Sequence, residues 1–440
     1  MSQTTYAASL PLLKEDWAMT AGESGLISSA YFLGYLVSLF AVGFLADRFG
    51  AKRTYLLTSL LAATAALAFA LLSHDFWSAF VLYGLTGLFS GGSYTPGLAI
   101  LAQRYPSRGR GRAIGFYIAS SSGGYALSLF LSSALLPLGG WRLAFVITCL
   151  GPTLGMMLGA FMLRKVPNVL PVVQQPAVQQ PAARQALQPP GTETAPPPRQ
   201  LRGPSRIFGS LWGNKPAILV VLAYTFHSWE LLGFWAWTPF FLATVSTGAG
   251  SGLESGIAGA AAGAGLTALT YVISIFGPIT GGELSDRLGR TTVIALFSLV
   301  STLCAFTLGW MVAWPLWLAV GVAFLFQFSA IGDSPVLSTA LTELVPAHQL
   351  GAAYALRSVA GFGAGAISPW VFGLVLDWGG VGGSGAAVVN AAAATGTPHT
   401  PTLVFGLAFS VLGLGGMLCP ASVMWLRRLP ASRAMAGGRK

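Results

Sequence analysis

Stretches of about twenty predominantly apolar residues recur along the whole chain, each long enough to cross a hydrocarbon layer as an α-helix. A backbone in lipid has to satisfy its own N–H and C=O groups, so such segments fold as helices or as a closed barrel. A barrel would show alternating segments of about ten residues, and this sequence does not alternate in that way. Eleven spans emerge, near residues 24–45, 54–73, 77–103, 112–137, 142–163, 216–243, 257–281, 292–312, 315–342, 351–376 and 402–426. Only 8% of the 440 residues are charged, about a third of the share in a soluble domain. The 56 glycines suit helices that approach one another closely in lipid. The expected fold class is an all-α polytopic membrane protein embedded in the lipid bilayer.

The net charge of +11 reports orientation rather than a nucleic-acid partner. If the loop holding Arg48, Lys52 and Arg53 is cytoplasmic, the alternation of spans assigns every other loop. All but Lys14 and Arg142 of the 24 basic residues then fall on the cytoplasmic side, or in the first turns entering the membrane from it. The same alternation places the C-terminal tail, 431–440, in the cytoplasm and the protein in an inner (plasma) membrane. Cys149, Cys304 and Cys419 all lie within spans, so no external loop holds a disulfide pair. Residues 1–23 carry Lys14, Glu15, Asp16 and Glu23 and lack the apolar core of a signal peptide.

Residues 166–204 hold ten of the 26 prolines and seven glutamines. A segment of that composition cannot bury enough apolar surface to fold, and it reads as a solvated linker. The expected organisation is a helix bundle over 1–165, a cytoplasmic linker over 166–214, a second bundle over 215–430 and the tail. The two bundles repeat one another. "GFLADRFGAKR" at 43–53 matches "GELSDRLGRTT" at 282–292, which sets Asp47 against Asp286, 239 residues apart. Gly111, opening "GRAIGFYIAS", matches Gly351, opening "GAAYALRSVA", 240 apart.

The repeated Gly-x-Leu-x-Asp-Arg-x-Gly-x-(Lys/Arg) pattern resembles motif A of the major facilitator superfamily. Its positions here are Gly43, Asp47, Arg48, Gly50, Lys52 and Arg53, then Gly282, Asp286, Arg287, Gly289 and Arg290. The resemblance covers essentially the whole chain. It implies two pseudo-symmetric six-helix bundles that rock about a central cavity and open alternately to each side. It also implies that Asp47 meets the start of the 351–376 helix near Gly351 and braces the halves. By the repeat, Asp286 would face the helix start near Arg112. A carboxylate at a helix N-terminus is worth roughly 0.3–1 kcal/mol, enough to bias a two-state equilibrium without freezing it. Twelve spans are expected of the family. Between Lys215 and Asp286 lie 71 residues with two spans, but only 46 residues and one span precede Asp47. The deficit of 25 is one helix, so the sequence is expected to lack helix one, with residues 1–23 forming the external loop that follows it. The alternative is an eleven-helix protein.

Within the spans, "YTFHSWELLGFWAWTPFF" at 224–241 places His227 and Glu230 three apart on one helix face. Glu230 lies about 22 Å along a helix starting at Lys215, near the bilayer midplane. A charge at that depth costs a few kcal/mol, so it should face a cavity or take up a proton. The alternative is a protonated Glu230 bonded between helices and a His227 packed among aromatic rings. Gln327 falls near mid-depth in 315–342 and Asp333 in its inner third, where Gly332, Ser334 and Pro335 can loosen the helix. Asp333 is a second candidate for proton or cation coupling, or else a cap at a kink. Arg357 can bind an anionic group, snorkel to headgroups, or pair with Asp47 or Glu343. Tyr94, Tyr117, Tyr125, Trp229 and Trp235 are candidate cavity linings or packing aromatics. The four histidines, three of them in loops, give no closed zinc set, so neither metal nor cofactor is expected.

In its proton-linked members the superfamily often carries an arginine in helix four, four residues before a glycine; here Tyr83 precedes Gly87. The Gly-Pro-rich motif of drug antiporters is replaced by "ASSSGGYALS". Both departures weaken the drug-antiporter reading and favour uptake or symport of a small organic solute; with the intramembrane carboxylates, the expected function is proton-coupled uptake of a solute such as an organic acid, and drug efflux by an antiporter is the alternative. A non-transporting sensor or decayed family member is the alternative of another class. No Gly-x-Ser-x-Gly, phosphate loop or His-Glu-x-x-His points to an enzyme. The expected partners are therefore a small-molecule substrate, protons and lipid, with the protein a monomer.

Overall fold

A computed structural model describes residues 1–93, 96–97, 100–101, 107–166, 168, 211–247, 256–346, 349–381 and 400–438. The side chains of 43–44, 47, 93, 107–115, 118–119, 434 and 437 also lie outside the described residues. The fold is all helical. The first half comprises α1 (Ser2–Asp16), α2 (Ala21–Phe49), α3 (Ala51–Leu72), α4 (Phe76–Ser90) and α5 (Ser107–Met162). The second comprises α6 (Lys215–Thr247), α7 (Gly256–Ser274), α8 (Gly277–Leu288), α9 (Arg290–Leu308), α10 (Leu316–Leu344), α11 (Leu350–Trp378), α12 (Pro401–Gly416) and α13 (Leu418–Arg428).

Although α5 is one helical stretch of 56 residues, it is a hairpin. Thr5 Oγ1 lies 2.9 Å from Ser128 Oγ and 3.0 Å from Thr148 Oγ1. Twenty residues of straight helix would separate those positions by about 30 Å. The chain reverses at Gly140, whose φ of +65° is open to glycine. Nine helical stretches among the described residues are long and apolar enough to cross a membrane, and α4 is a shorter apolar one. Counting both arms of the hairpin, these are the eleven expected spans, with α7–α8 and α12–α13 each forming one.

The repeat is visible in the backbone. Gly50, between α2 and α3, has φ +89° and ψ 144°; Gly289, between α8 and α9, has φ +94° and ψ 151°. Only glycine holds that conformation without strain, so each motif glycine sets the same tight reversal in its own half.

Two expectations change. Residues 2–16 are a helix, not an external loop. Tyr6, Leu10 and Leu13 are buried, and Tyr6 stacks on Tyr83 with ring centroids 4.6 Å apart. Polar Ser2, Thr4, Thr5 and Ser9 hid this helix from a hydropathy reading, although all four are buried. Fifteen residues rise about 22 Å, so α1 is shorter than a full crossing. Second, α10 runs unbroken through Gly332, Ser334 and Pro335; Gly332 instead lets α8 approach, its own position lying against Gly277 and Phe297. The C-terminal tail packs on the bundle: Met435 and Ser432 are fully buried, and the Ala436 N–H donates to Glu343 at 3.1 Å. Of the expected linker only 166, 168 and 211–214 are described, and the rest lies outside the described residues.

Across the interface between halves, α2 packs along α11, α5 along α7, and α1 along α6 and α7. Lipid offers no hydrophobic drive between helices, so their contact rests on close packing and on polar bonds. Rings supply much of the packing: Phe234 stacks on Phe326 at 3.5 Å and Trp237 on Phe372 at 5.2 Å.

Candidate functional site

Where the halves meet, α1 contributes Gln3 and Ala7, α2 contributes Ser28, Tyr31 and Phe32, α4 contributes Tyr83, and α6 contributes Trp235 and Ala236 to a small cavity. The parallel run of α2 and α4 brings Tyr31 and Tyr83 together, ring centroids 5.0 Å apart. Trp235 forms the opposite wall. Its Nε1–H donates to Gln327 Oε1 at 3.1 Å, and Tyr125 and Tyr271 flank its ring at 5.7 and 5.8 Å. The indole is therefore fixed from behind by groups of both halves. The enclosed space has room for about one water, and its polar lining is the Ser28 hydroxyl and the Gln3 amide among aromatic faces.

One to two turns back along α6, the candidates from the sequence come together. His227 Nδ1 stands 3.1 Å from Asp333 Oδ1 of α10, and the two side chains are 2% and 0% exposed. Glu230 is also 2% exposed; its Oε2 accepts the Ser301 hydroxyl of α9 at 3.0 Å, and Thr302 adjoins the same carboxyl. No basic side chain lies within 4.0 Å of Glu230 among the described residues. Room for it is made by Gly416, where a Cβ would sit 2.6 Å from the carboxyl carbon. Glu230 therefore points between α9 and α12, into the second bundle rather than the cavity. The cluster can hold one proton between His227 and Asp333 and another on Glu230.

Arg357 of α11 forms no ion pair with Glu343, and the side chain of Asp47, its other expected partner, lies outside the described residues. Its guanidinium lies 4.1 Å over Tyr224 and 4.9 Å from Tyr354, and it donates to the Ser338 hydroxyl. The ring of Tyr224 is 5.8 Å from that of His227, so one aromatic separates the arginine from the buried pair. Glu343 is held instead by Arg290, at 3.2 Å.

Around the motif turns, Arg290 also binds Asp286 and, at 2.6 Å, the Ser285 hydroxyl. Asp286 thus ties α8 to α9 and, through Arg290 and Glu343, to α10. Arg112, its expected neighbour, has its side chain outside the described residues, as do Gly43 and Asp47. Gly282 is half-buried, Arg48 and Arg287 are exposed. At the first turn, Lys52 Nζ donates to the Val166 carbonyl at 3.1 Å. Asn168 donates to Phe49 O at 2.6 Å and accepts the Arg53 N–H at 2.9 Å, closing over Gly50. Trp229 bonds Val411 O at 3.3 Å within the second half, and Tyr94 lies outside the described residues.

Tyr31, Tyr83, Ser28 and Gln3 were not singled out as cavity residues from sequence. Tyr83 carried a signal, since it stands where an arginine was looked for. Ser301 carried none, because a serine in an apolar helix commonly bonds its own backbone.

The profile of the Major Facilitator Superfamily matches residues 1–369. The chain is 25% identical over 373 residues to a probable 4-methylmuconolactone transporter of Cupriavidus pinatubonensis, covering 80% of this chain and 77% of that one. It is 28% identical over 327 residues to a gallate transporter of Pseudomonas putida, covering 71% and 68%. A bacterial homologue of the human lysosomal transporter Spinster, solved inward-facing and unoccupied, superposes with a TM-score of 0.69 at 16% identity over 100% of this chain and 95% of that one.

Proposed function

Because the chain belongs to the major facilitator superfamily of membrane transporters, we propose that it takes up a small ring-bearing organic acid together with protons, by alternating access. The observation that carries this reading is the wholly buried group of His227, Asp333 and Glu230. Keeping an unpaired charge in such a place costs several kcal/mol. A proton on Glu230 removes that cost, so proton binding and the packing of α6, α9 and α12 are linked. The relatives named for gallate and a methylmuconolactone support a solute of that kind, and the cavity between Tyr31, Tyr83 and Trp235, which has room for about one water in this closed form, would have to widen to receive it. Arg357 lies over Tyr224, about 16 Å along α6 from Trp235, so it neighbours the proton pair rather than the cavity. In this reading the bundles are 1–165 and 215–430, and the Gly50 and Gly289 turns, like the C-terminus, face the cytoplasm of a plasma membrane.

Radiolabelled gallate offered to proteoliposomes tests it. An inward proton gradient should drive accumulation that a protonophore abolishes. Accumulation that survives the protonophore removes the coupling.

A further inference from the structure

Asp377 sits in the last turn of α11, at the end of the bundle opposite the Gly50 and Gly289 turns, and belongs to neither site above. Its carboxylate is engaged with the other half of the molecule. Oδ1 accepts the Ala21 N–H and Oδ2 the Gly22 N–H, each at 2.7 Å. The first N–H groups of a helix have no partner within it. At α2 the capping box of Thr20 and Glu23 serves only the N–H groups of those two residues. Ala21 and Gly22 therefore depend on a side chain carried by the opposite bundle.

The fit is close on both sides. A Cβ on Gly22 would lie 2.8 Å from Asp377 Oδ2, one on Gly25 2.3 Å from the Pro369 carbonyl, and one on Gly373 2.3 Å from the Ala21 carbonyl. Trp237 Nε1–H adds a bond to the Pro369 carbonyl at 2.9 Å. Lys14, only 5% exposed and 5.3 Å over the Phe240 ring, is within electrostatic reach of Asp377. A second seam at the same end is closed by Ser133, which donates to Ala261 O at 2.7 Å. The cavity lies inward of this closure: Ser28 is about 10 Å along α2 from Ala21.

We propose that Asp377 is the latch that holds this end of the solute pathway shut, by completing the N-terminus of α2 from across the interface. Opening that end parts α2 from α11. Two N–H groups then lose their acceptor and the carboxylate loses the positive end of the helix. The proposal rests on the alternating-access reading, but its test needs no substrate.

The full-length protein carrying Ser28→Cys is placed in sealed vesicles and exposed to a membrane-impermeant maleimide on the outer face. Cys149, Cys304 and Cys419 are buried, and the protein without the reporter gives their background. Asp377→Ala should raise the labelling rate about tenfold or more. Gly22→Ala, which displaces the carboxylate from the other helix, should do the same and carries the test if Asp377→Ala fails to reach the membrane. An unchanged rate in both overturns the latch, and so does an equal rise in labelling from the inner face, which would mean general loosening. Faster labelling in a protein that moves no solute would keep the latch and sink the transport reading.

Discussion

Glu230→Gln should uncouple the carrier while leaving it folded. The carboxamide has nearly the shape of the acid, and its carbonyl can still accept the Ser301 hydroxyl that now bonds Oε2 at 3.0 Å. Among the described residues no cation is opposite Glu230, so no ion pair is broken, and the stability change should stay within about 1 kcal/mol. The functional change is far larger. A gradient of about two pH units is worth about 2.7 kcal/mol, which for one proton per solute anion is about 100-fold accumulation. With an amide that cannot exchange its proton, that ratio should fall to about one, while exchange of labelled for unlabelled solute across the membrane continues. The assay is accumulation and counterflow of labelled gallate in the same proteoliposome preparation. Uphill accumulation near the wild-type ratio would show that Glu230 does not carry the coupling proton. Loss of counterflow together with accumulation would show that it does something else.

Asp333→Asn removes the acid from the buried pair with His227, a change of the kind that costs about 3–5 kcal/mol. Its thermal midpoint in detergent should therefore fall well below that of Glu230→Gln, and equal midpoints would contradict the pairing. Gly289→Ala should destabilise by about 1–3 kcal/mol through its φ of +94°. Gly50→Ala should cost more, since its Cβ would also lie 2.5 Å from Asn168; the reverse order of thermal midpoints would refute this. Excising 170–200 should leave uptake nearly intact, because a proline- and glutamine-rich tether tolerates shortening; a well-expressed protein without uptake would show that the segment does more than connect.

The spans were legible because the cost of exposing backbone in lipid leaves so few alternatives. The motif turns were legible because a glycine with strained φ has no substitute at Gly50 or Gly289. What escaped was polar or remote. The helix α1 is rich in buried hydroxyls that bond across the bundle, as Thr5 does to Ser128 and Thr148, and hydropathy counts such groups as surface. Asp333 and His227 were each visible as an intramembrane ionisable residue, but they lie 106 residues apart in the chain and only the packing of α6 against α10 joins them. Asp377 was not singled out from the sequence. Its role depends on which helix N-terminus faces it, and the sequence does not contain that information.

One helix links the three functions assigned here. Trp235 of α6 walls the cavity, Glu230 and His227 are the proposed proton carriers, and Trp237 bonds Pro369 beside the proposed latch. Glu230 and Trp237 are seven residues apart, about 10 Å of rigid rise. A helix so well packed does not bend over that distance, so it moves as a body or not at all. In the proposed mechanism a solute in the cavity bears on Trp235, a proton on Glu230 changes the charge that α6 presents to α9, and Trp237 ties α6 to Pro369 of the helix that carries the latch. Each of these changes the position that α6 prefers, so each alters the free energy of the other two, and coupling needs no direct contact between solute and proton. The same geometry explains why Glu230 can point away from the cavity and still govern what the cavity does.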